Sequence, residues 1–379
     1  MAGVYIHIPF CRKLCNYCDF YHVVSAGDDF SGFIDALLTE AEIRRDYIGA
    51  AKISTIYLGG GTPSVLSPAQ ISRILEAIDK YYNVDPVCET TIEINPDDSS
   101  LNYLKDLRGT GINRISIGVQ SWDDADLKML NRRHTGEQAL SAVEQSFAAG
   151  FENVTIDLIY GIPGMTSDKW SASLEKAVAT GITHLSAYHL TIEPATIFGR
   201  MKEKGVMQEI DEEESASQFN VLIDVMEKAG FIHYEISNFC KPGFLSVHNS
   251  NYWKQVPYTG LGPSAHSFKG FSRQWNVRDL KKYISLVKKG KDFFEREELD
   301  IKTRFNEYIM TSLRTMWGLD LDYIEKTFEK EGYDYVMNLA GKFIGYGMMY
   351  QEKNTLILTN QGKMISDNII SEFMMPNGG

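Results

Sequence analysis

The stretch Cys11-Arg-Lys-Leu-Cys15-Asn-Tyr-Cys18 decides how the rest of the chain is read. It sets three thiols in one short loop, with Tyr17 just ahead of the last. Iron–sulfur clusters are held by cysteine thiolates, usually four, so a dedicated set of three leaves one iron for an external ligand. Zinc is a competing reading, but it calls for a fourth Cys or His at ligand spacing, and His22 is the only local candidate. An unliganded loop is the other. The loop follows an apolar run, Gly3-Val-Tyr-Ile-His-Ile-Pro-Phe10, that reads as a strand.

Moving outward, apolar β-type runs alternate with helical patterns. The expected strands are Val4–Ile8, Ile53–Leu58, Thr91–Ile94, Ile112–Val119, Val154–Ile159 and Leu185–Leu190. Between them lie helix-like segments at Asp29–Tyr47, Pro68–Tyr82, Asp124–Leu130, Gly136–Ala149 and Trp170–Thr180. Buried strands joined by amphipathic helices predict a parallel sheet with βαβ crossovers, an α/β fold. Six such units suggest an incomplete (β/α)6 barrel of TIM type, whose site lies at the C-terminal ends of its strands.

Polar residues cluster at those ends. Gly59-Gly60-Gly61-Thr62-Pro63 follows the second strand, and successive glycines let a ligand approach the backbone. A tight turn is the plainer reading. Glu93, in Ile92-Glu-Ile-Asn-Pro96, is a carboxylate between isoleucines and calls for a partner unless it faces solvent. Gln120 ends the fourth strand, Arg132 follows in Leu130-Asn-Arg-Arg133, and Asp157 sits in the fifth. Each has a bland reading as a strand-end or surface polar residue, but their shared position favours a site.

Together these features resemble the radical S-adenosylmethionine (SAM) superfamily. Tyr5 ahead of the cysteines, Gly-Gly-Gly-Thr-Pro, Ile-Glu-Ile-Asn-Pro, Gly118-Val-Gln-Ser121 and Asp157-Leu-Ile-Tyr-Gly-Ile-Pro163 look like oxygen-independent coproporphyrinogen III oxidase and its relatives. The resemblance implies a [4Fe–4S] cluster on Cys11, Cys15 and Cys18. It implies SAM on Tyr5, Gly60, Gly61, Thr62 and Glu93, with Tyr17 beside the cluster, and a second SAM on Gln120, Arg132 and Asp157. Two departures point away from the oxidase. It carries a further cysteine two positions past the motif, where this chain has Phe20, and it has an extension ahead of the first strand.

Both departures match a sister group, the radical SAM heme chaperones. That group also carries His-Asn-x-x-Tyr-Trp, here His248-Asn249-Ser-Asn-Tyr252-Trp253. A neutral imidazole is a common heme ligand, so the resemblance implies heme contact at His248. The expected function is therefore a heme chaperone that binds heme and passes it to an acceptor protein. The acceptor's identity, and whether it is met at a membrane surface, stay open. The alternative is the oxidase itself, an oxidoreductase that decarboxylates propionates in porphyrin biosynthesis through a 5′-deoxyadenosyl radical. A scaffold with a vestigial cluster is the third reading.

The domain organisation expected is a radical SAM barrel over 1–235, a connecting segment with the His248 motif over 236–299, and a C-terminal unit over 300–379. In that last unit three helices and a hairpin resemble a winged helix. Winged helices often read DNA, but residues 300–379 hold eight Lys/Arg against eleven Asp/Glu, a net of −3. With a formal charge of −12 for the whole chain, nucleic acid is disfavoured as a partner. The lysine-rich stretch from Arg278 to Lys291 reads as a solvated helix face, with anionic lipid as its other reading. Five cysteines, three in one motif, fit a reducing compartment, and neither a signal peptide nor a membrane span is visible; the expected place is the cytoplasm.

Overall fold

The computed structural model describes residues 1–376 apart from 26, 28 and 29. Twelve strands form one sheet: β1 (Ala2–Ile8), β2 (Ile53–Gly60), β3 (Val84–Ile94), β4 (Arg114–Gln120), β5 (Asn153–Tyr160), β6 (His184–His189), β7 (Ile232–Glu235), β8 (Asn238–Cys240), β9 (Tyr258–Leu261), β10 (His266–Phe268), β11 (Ser272–Asn276) and β12 (Phe294–Glu298). The order across the sheet is β12-β11-β10-β9-β1-β2-β3-β4-β5-β6-β8-β7. From β1 to β6 neighbours in space are neighbours in sequence and all pair in parallel. That is the incomplete barrel expected from the alternating pattern.

The segment after 236 does more than connect. Its β9 pairs in parallel with β1, adding a seventh parallel strand, and β8 pairs antiparallel with β6 at the other side. β9 is only four residues long, Tyr-Thr-Gly-Leu, too short for an apolar run to mark it in the sequence. Gly260 is required there because a Cβ would lie 1.9 Å from the carbonyl oxygen of His266.

Side chains on β2 to β6 alternate between two surroundings. Ile56, Ile92, Ile115, Ile117, Ile156 and Leu185 are buried in the main apolar core with the outer helices. The opposite set is polar and points inside the barrel: Thr55 and Tyr57, Thr91 and Glu93, Ser116, Asp157 and Ser186. A period of two places these sets on opposite faces. The barrel interior is thus built to bind, and its stability comes mainly from the outer layer.

The helices fall where the pattern puts them. Pro68–Tyr81 starts with Pro at its first position and a capping box between Ser67 and Gln70, which satisfies two otherwise orphaned amides. Gly136–Ala148 has the same device with Thr135 and Gln138. The first helix spans Ser31–Ile43 rather than Asp29–Tyr47; Asp29 lies outside the described residues.

A second apolar core gathers Phe305, Ile309, Ile324, Val336, Leu356 and Ile369. Around it lie helix Ile301–Leu313, a long helix Leu321–Gly345, a hairpin of Met349–Glu352 with Thr355–Leu358, and helices Asn360–Met364 and Ser366–Phe373. The long helix breaks at Phe328–Glu329, where Glu329 has φ 61°, so it comprises the two helices the sequence predicts. Phe328 turns inward there to meet Phe305 edge-on at 5.2 Å. Leu319–Asp320 adds a third strand to the hairpin. This unit is tied to the barrel through a bridge between Glu235 and Thr315 and by Lys254 over the Trp317 ring at 3.9 Å.

Candidate functional site

The cysteine loop is closed at its base by two short parallel strands, Phe10–Cys11 and Val23–Val24. Its far side is fastened to the turn after β4. Asn16 donates from its backbone to Leu130 and from its side chain to Met129, while Asn131 Nδ2 donates to the Leu14 carbonyl at 2.6 Å. Asn131 has φ 61°, a left-handed conformation that Asn tolerates better than most residues. The loop therefore sits over the C-terminal ends of the barrel strands.

All three thiols of the loop are free and partly exposed. Burial pushes the Cys18 thiol up to about 12 and raises Cys11 as well. Thr62 donates to Cys11 Sγ at 3.4 Å and Arg132 donates to Cys15 Sγ at 3.6 Å. Donors aimed at sulfur are compatible with a sulfur that ligates metal. Among the described residues no group of three or more His, Cys, Asp or Glu converges on a single-ion position. A multi-iron cluster takes one thiolate per iron and has no need of such a point. The donor set fits a cluster better than zinc.

Beneath the loop lies a cavity of about 430 Å³. Its walls include Cys11, Cys15, Tyr17, Cys18, Gly60, Gly61, Thr62, Glu93, Gln120, Arg132 and Asp157, so eleven of the thirteen residues expected from sequence meet on one surface. Gly60 has φ 106°, and a Cβ there would lie 2.4 Å from the His7 ring. Gly61 has no room for one either, at 2.8 Å from the Ile8 carbonyl oxygen. The strand end can present its backbone to a ligand only as glycine.

Glu93 accepts from Tyr57 Oη at 2.8 Å and from the Gly60 amide at 3.1 Å. Burial raises it to about 7 despite these bonds. Asp157, bonded by Ser116 at 3.2 Å, is raised to about 6 for the same reason. Two desolvated carboxylates face the cavity, suited to hydroxyl or ammonium donors. Gln120 is itself strained, with φ 66° at an irregularity in the β4–β5 register. Below them a small polar cavity of about 40 Å³, lined by Arg114, Ser116 and Asp157 among others, has room for water.

Tyr5 lies under the floor rather than on the wall. Its hydroxyl donates to His7 Nδ1 at 3.1 Å, and His7 Nε2 donates to the Tyr21 carbonyl at 2.9 Å. Tyr5 thus braces the base of the cysteine loop through His7, which burial lowers to about 4 and keeps neutral.

His248 stands elsewhere. It begins the helix Val247–Trp253, whose first amides donate to Glu89, and its ring enters the barrel from the N-terminal end. Nδ1 is 2.9 Å from Thr55 Oγ1 and Nε2 is 2.9 Å from Tyr252 Oη. The ring stacks on Tyr57 at 5.0 Å and is only 2 % exposed. Burial lowers it to about 3. In this arrangement the Tyr57 layer stands between His248 and the cavity, and neither ring nitrogen is free.

Among the cavity residues not singled out from sequence are Asn95 and Tyr188. Asn95 joins Arg132 Nη2, at 2.7 Å, to Thr62 Oγ1, at 3.4 Å. The signal was available in the Ile-Glu-Ile-Asn-Pro stretch, one alternation beyond Glu93. Tyr188, one alternation past Ser186 on β6, had no such cue and reads as an ordinary strand aromatic.

Comparison with known proteins bears on this geometry. Residues 5–177 match the Radical SAM superfamily. The chain is 34% identical to the protein named Heme chaperone HemW of Lactococcus lactis, over 98% of this chain and 97% of that one. It is 32% identical to the Heme chaperone HemW of Bacillus subtilis, over 99% of each. Among solved structures it is similar to coproporphyrinogen III oxidase (HemN) from Escherichia coli, a radical SAM enzyme. There the TM-score is 0.85 and the identity 24%, over 99% of this chain and 90% of that one. At that identity the likeness speaks for the fold.

Proposed function

We propose, from the premise that the chain belongs to the radical SAM superfamily and within it to the HemW family, that it is a heme chaperone: it binds heme and passes it to an acceptor protein. The observation that carries this is near-full-length similarity to relatives of that name, supported by a cavity whose walls bring together the three cysteines and all the expected SAM residues but Tyr5. The oxidase reading rests on likeness of fold.

Cys11, Cys15 and Cys18 would hold a [4Fe–4S] cluster, and the glycines of β2 with Thr62 and Glu93 would hold SAM. When bound, cluster and SAM would together supply a redox-active group. Thr62 and Arg132 would orient two of the sulfur ligands through the bonds already described. Glu93 and Asp157 accept hydrogen bonds from ligand hydroxyl or ammonium groups. Asn16 and Asn131 pin the cysteine loop in place beside the cavity.

No helix among the described residues is long and apolar enough to cross a membrane. Three thiols kept available for iron suit a reducing compartment, and the cytoplasm is the location proposed. For the C-terminal unit a protein-contact role is proposed, since its net charge of −3 over residues 300–379 (eight basic, eleven acidic) opposes a duplex.

The test is an anaerobic titration of the reconstituted protein with heme, followed by absorbance. Saturable binding, with release of heme to an added apo-hemoprotein, is the expected result. Absence of saturable binding would sink the reading.

A further inference from the structure

The helix Val247–Trp253 sits in the N-terminal mouth of the barrel without giving a side chain to either apolar core. What fastens its first turn is polar. The two carboxylate oxygens of Glu89, on β3, accept from the amides of Val247 at 3.0 Å and His248 at 2.8 Å. Thr55, on β2, holds His248 Nδ1 at 2.9 Å, and the ring rests on Tyr57. At the other end Tyr252 meets Tyr258 edge-on at 4.6 Å and Lys254 lies over the Trp317 ring. We propose that this helix is a plug, that Glu89 is its latch, and that heme reaches His248 when the latch lets go. The inference rests on the heme-chaperone reading above, with heme contact at His248, and names the step that admits heme.

The closed seat is one the helix can leave. Ser250 Oγ and Asn251 Nδ2 are buried in it with no hydrogen-bond partner among the described residues. An unpaired buried polar atom is destabilising, and water satisfies it once the helix opens. The seat itself is polar: Ser246 and Asn249 line the small cavity of about 40 Å³ already described, which has room for water. The backbone can turn at both ends. Gly243, at φ 88°, precedes the helix with nothing within 4 Å of where a Cβ would lie, and Gln255, at φ 52°, follows it. A left-handed residue other than glycine is strained, and such positions recur in switch regions. Segments with few buried apolar contacts are the ones that open locally.

Closed, His248 is out of reach of a macrocycle: its ring is buried and both nitrogens are bonded. A ligand that needs a minor state binds with an apparent affinity reduced by that state's population. Loosening the latch therefore strengthens heme binding. Were Glu89 instead shaping a ready-made site, loosening it would weaken binding. The sign separates the two.

The test mixes hemin by stopped flow with the reconstituted full-length protein as wild type, Glu89→Gln, Thr55→Val and His248→Ala. In the wild type the observed rate should level off at high hemin, at the rate of opening. Glu89→Gln keeps the side chain's shape but loses its charge and one acceptor oxygen; it should raise that ceiling and tighten hemin by about tenfold. Thr55→Val removes the bond to the ring and keeps the strand's shape, so it should move both quantities the same way. Amide exchange over residues 244–255 should quicken in Glu89→Gln while that of β2 to β4 stays as in wild type, which a general loosening would not give. Hemin bound no faster, or more weakly, in Glu89→Gln and Thr55→Val would overturn the latch. So would His248→Ala that binds hemin as the wild type does. A wild type that binds no hemin would instead strike the heme-chaperone reading beneath it.

Discussion

Asn95 Oδ1 accepts from Arg132 Nη2 at 2.7 Å, and the same side chain donates from Nδ2 to Thr62 at 3.4 Å. Because Thr62 and Arg132 in turn donate to Cys11 and Cys15, one amide links the hydrogen bonding of two cluster thiols. A bond from a charged donor contributes about 1.5–3 kcal/mol, and losing its partner leaves a half-buried guanidinium less fixed. Asn95→Ala is therefore expected to lower iron and sulfide retention several-fold after anaerobic reconstitution while leaving the circular dichroism spectrum as in wild type. Retention equal to wild type would contradict the linkage.

Cys15→Ser should abolish the cluster absorbance yet keep the fold, because the thiols lie on a surface loop and the apolar core is elsewhere. The check is iron content beside a melting curve. A melt that collapses with the cluster would show that the metal holds the barrel together.

Gly60→Ala tests whether the backbone at the end of β2 is as constrained as its geometry states. The new Cβ would meet the His7 ring at 2.4 Å from a backbone at φ 106°. Overpacking costs about 1–3 kcal/mol and the left-handed conformation adds about 1 kcal/mol or more. The expected result is a lowered Tm together with loss of SAM binding in equilibrium dialysis; a Tm within a degree of wild type would refute it.

Glu93 gives a pH dependence with a definite sign. Burial raises its folded value from 4.5 to about 7, so folding favours the protonated acid. Its contribution to stability is fully present below pH 4.5 and is lost as pH rises to about 7. In the ligand-free protein, Glu93→Gln should flatten the fall in Tm across that window and leave Tm at lower pH nearly unchanged. A steeper fall in the variant would reverse the sign and defeat the assignment.

His248→Ala should act on stability before it acts on binding. The ring is buried, bonded at both nitrogens and stacked on Tyr57, so its loss leaves Thr55 and Tyr252 without a partner. Truncating such a group costs about 2–4 kcal/mol, read as a drop in denaturation midpoint. A variant as stable as wild type would mean that the ring leaves this position in solution.

Much of this was legible in the sequence, and the pattern of what was not is physical. The six strands from Ala2 to His189 each carry an apolar outer face, so periodicity found them, and the glycine and carboxylate motifs at their ends marked the cavity. β9 escaped because four residues, Tyr-Thr-Gly-Leu, are too few for a strand period to stand out. His248 was legible as a motif but not as a place: residue spacing does not say from which end of the barrel a helix inserts its side chain. Asn95 and Tyr188 join the site through the alternation of their strands, a fact that needs the register.

The central claim is that a radical SAM chassis serves here to carry heme rather than to oxidise a porphyrinogen. The most direct test is one anaerobic sample, reconstituted with iron and sulfide and given SAM and reductant, assayed both for heme binding by absorbance and for protoporphyrinogen formed from coproporphyrinogen III. The account predicts saturable heme binding and no porphyrinogen product. Product formation by the wild type, abolished in Cys15→Ala, would contradict it.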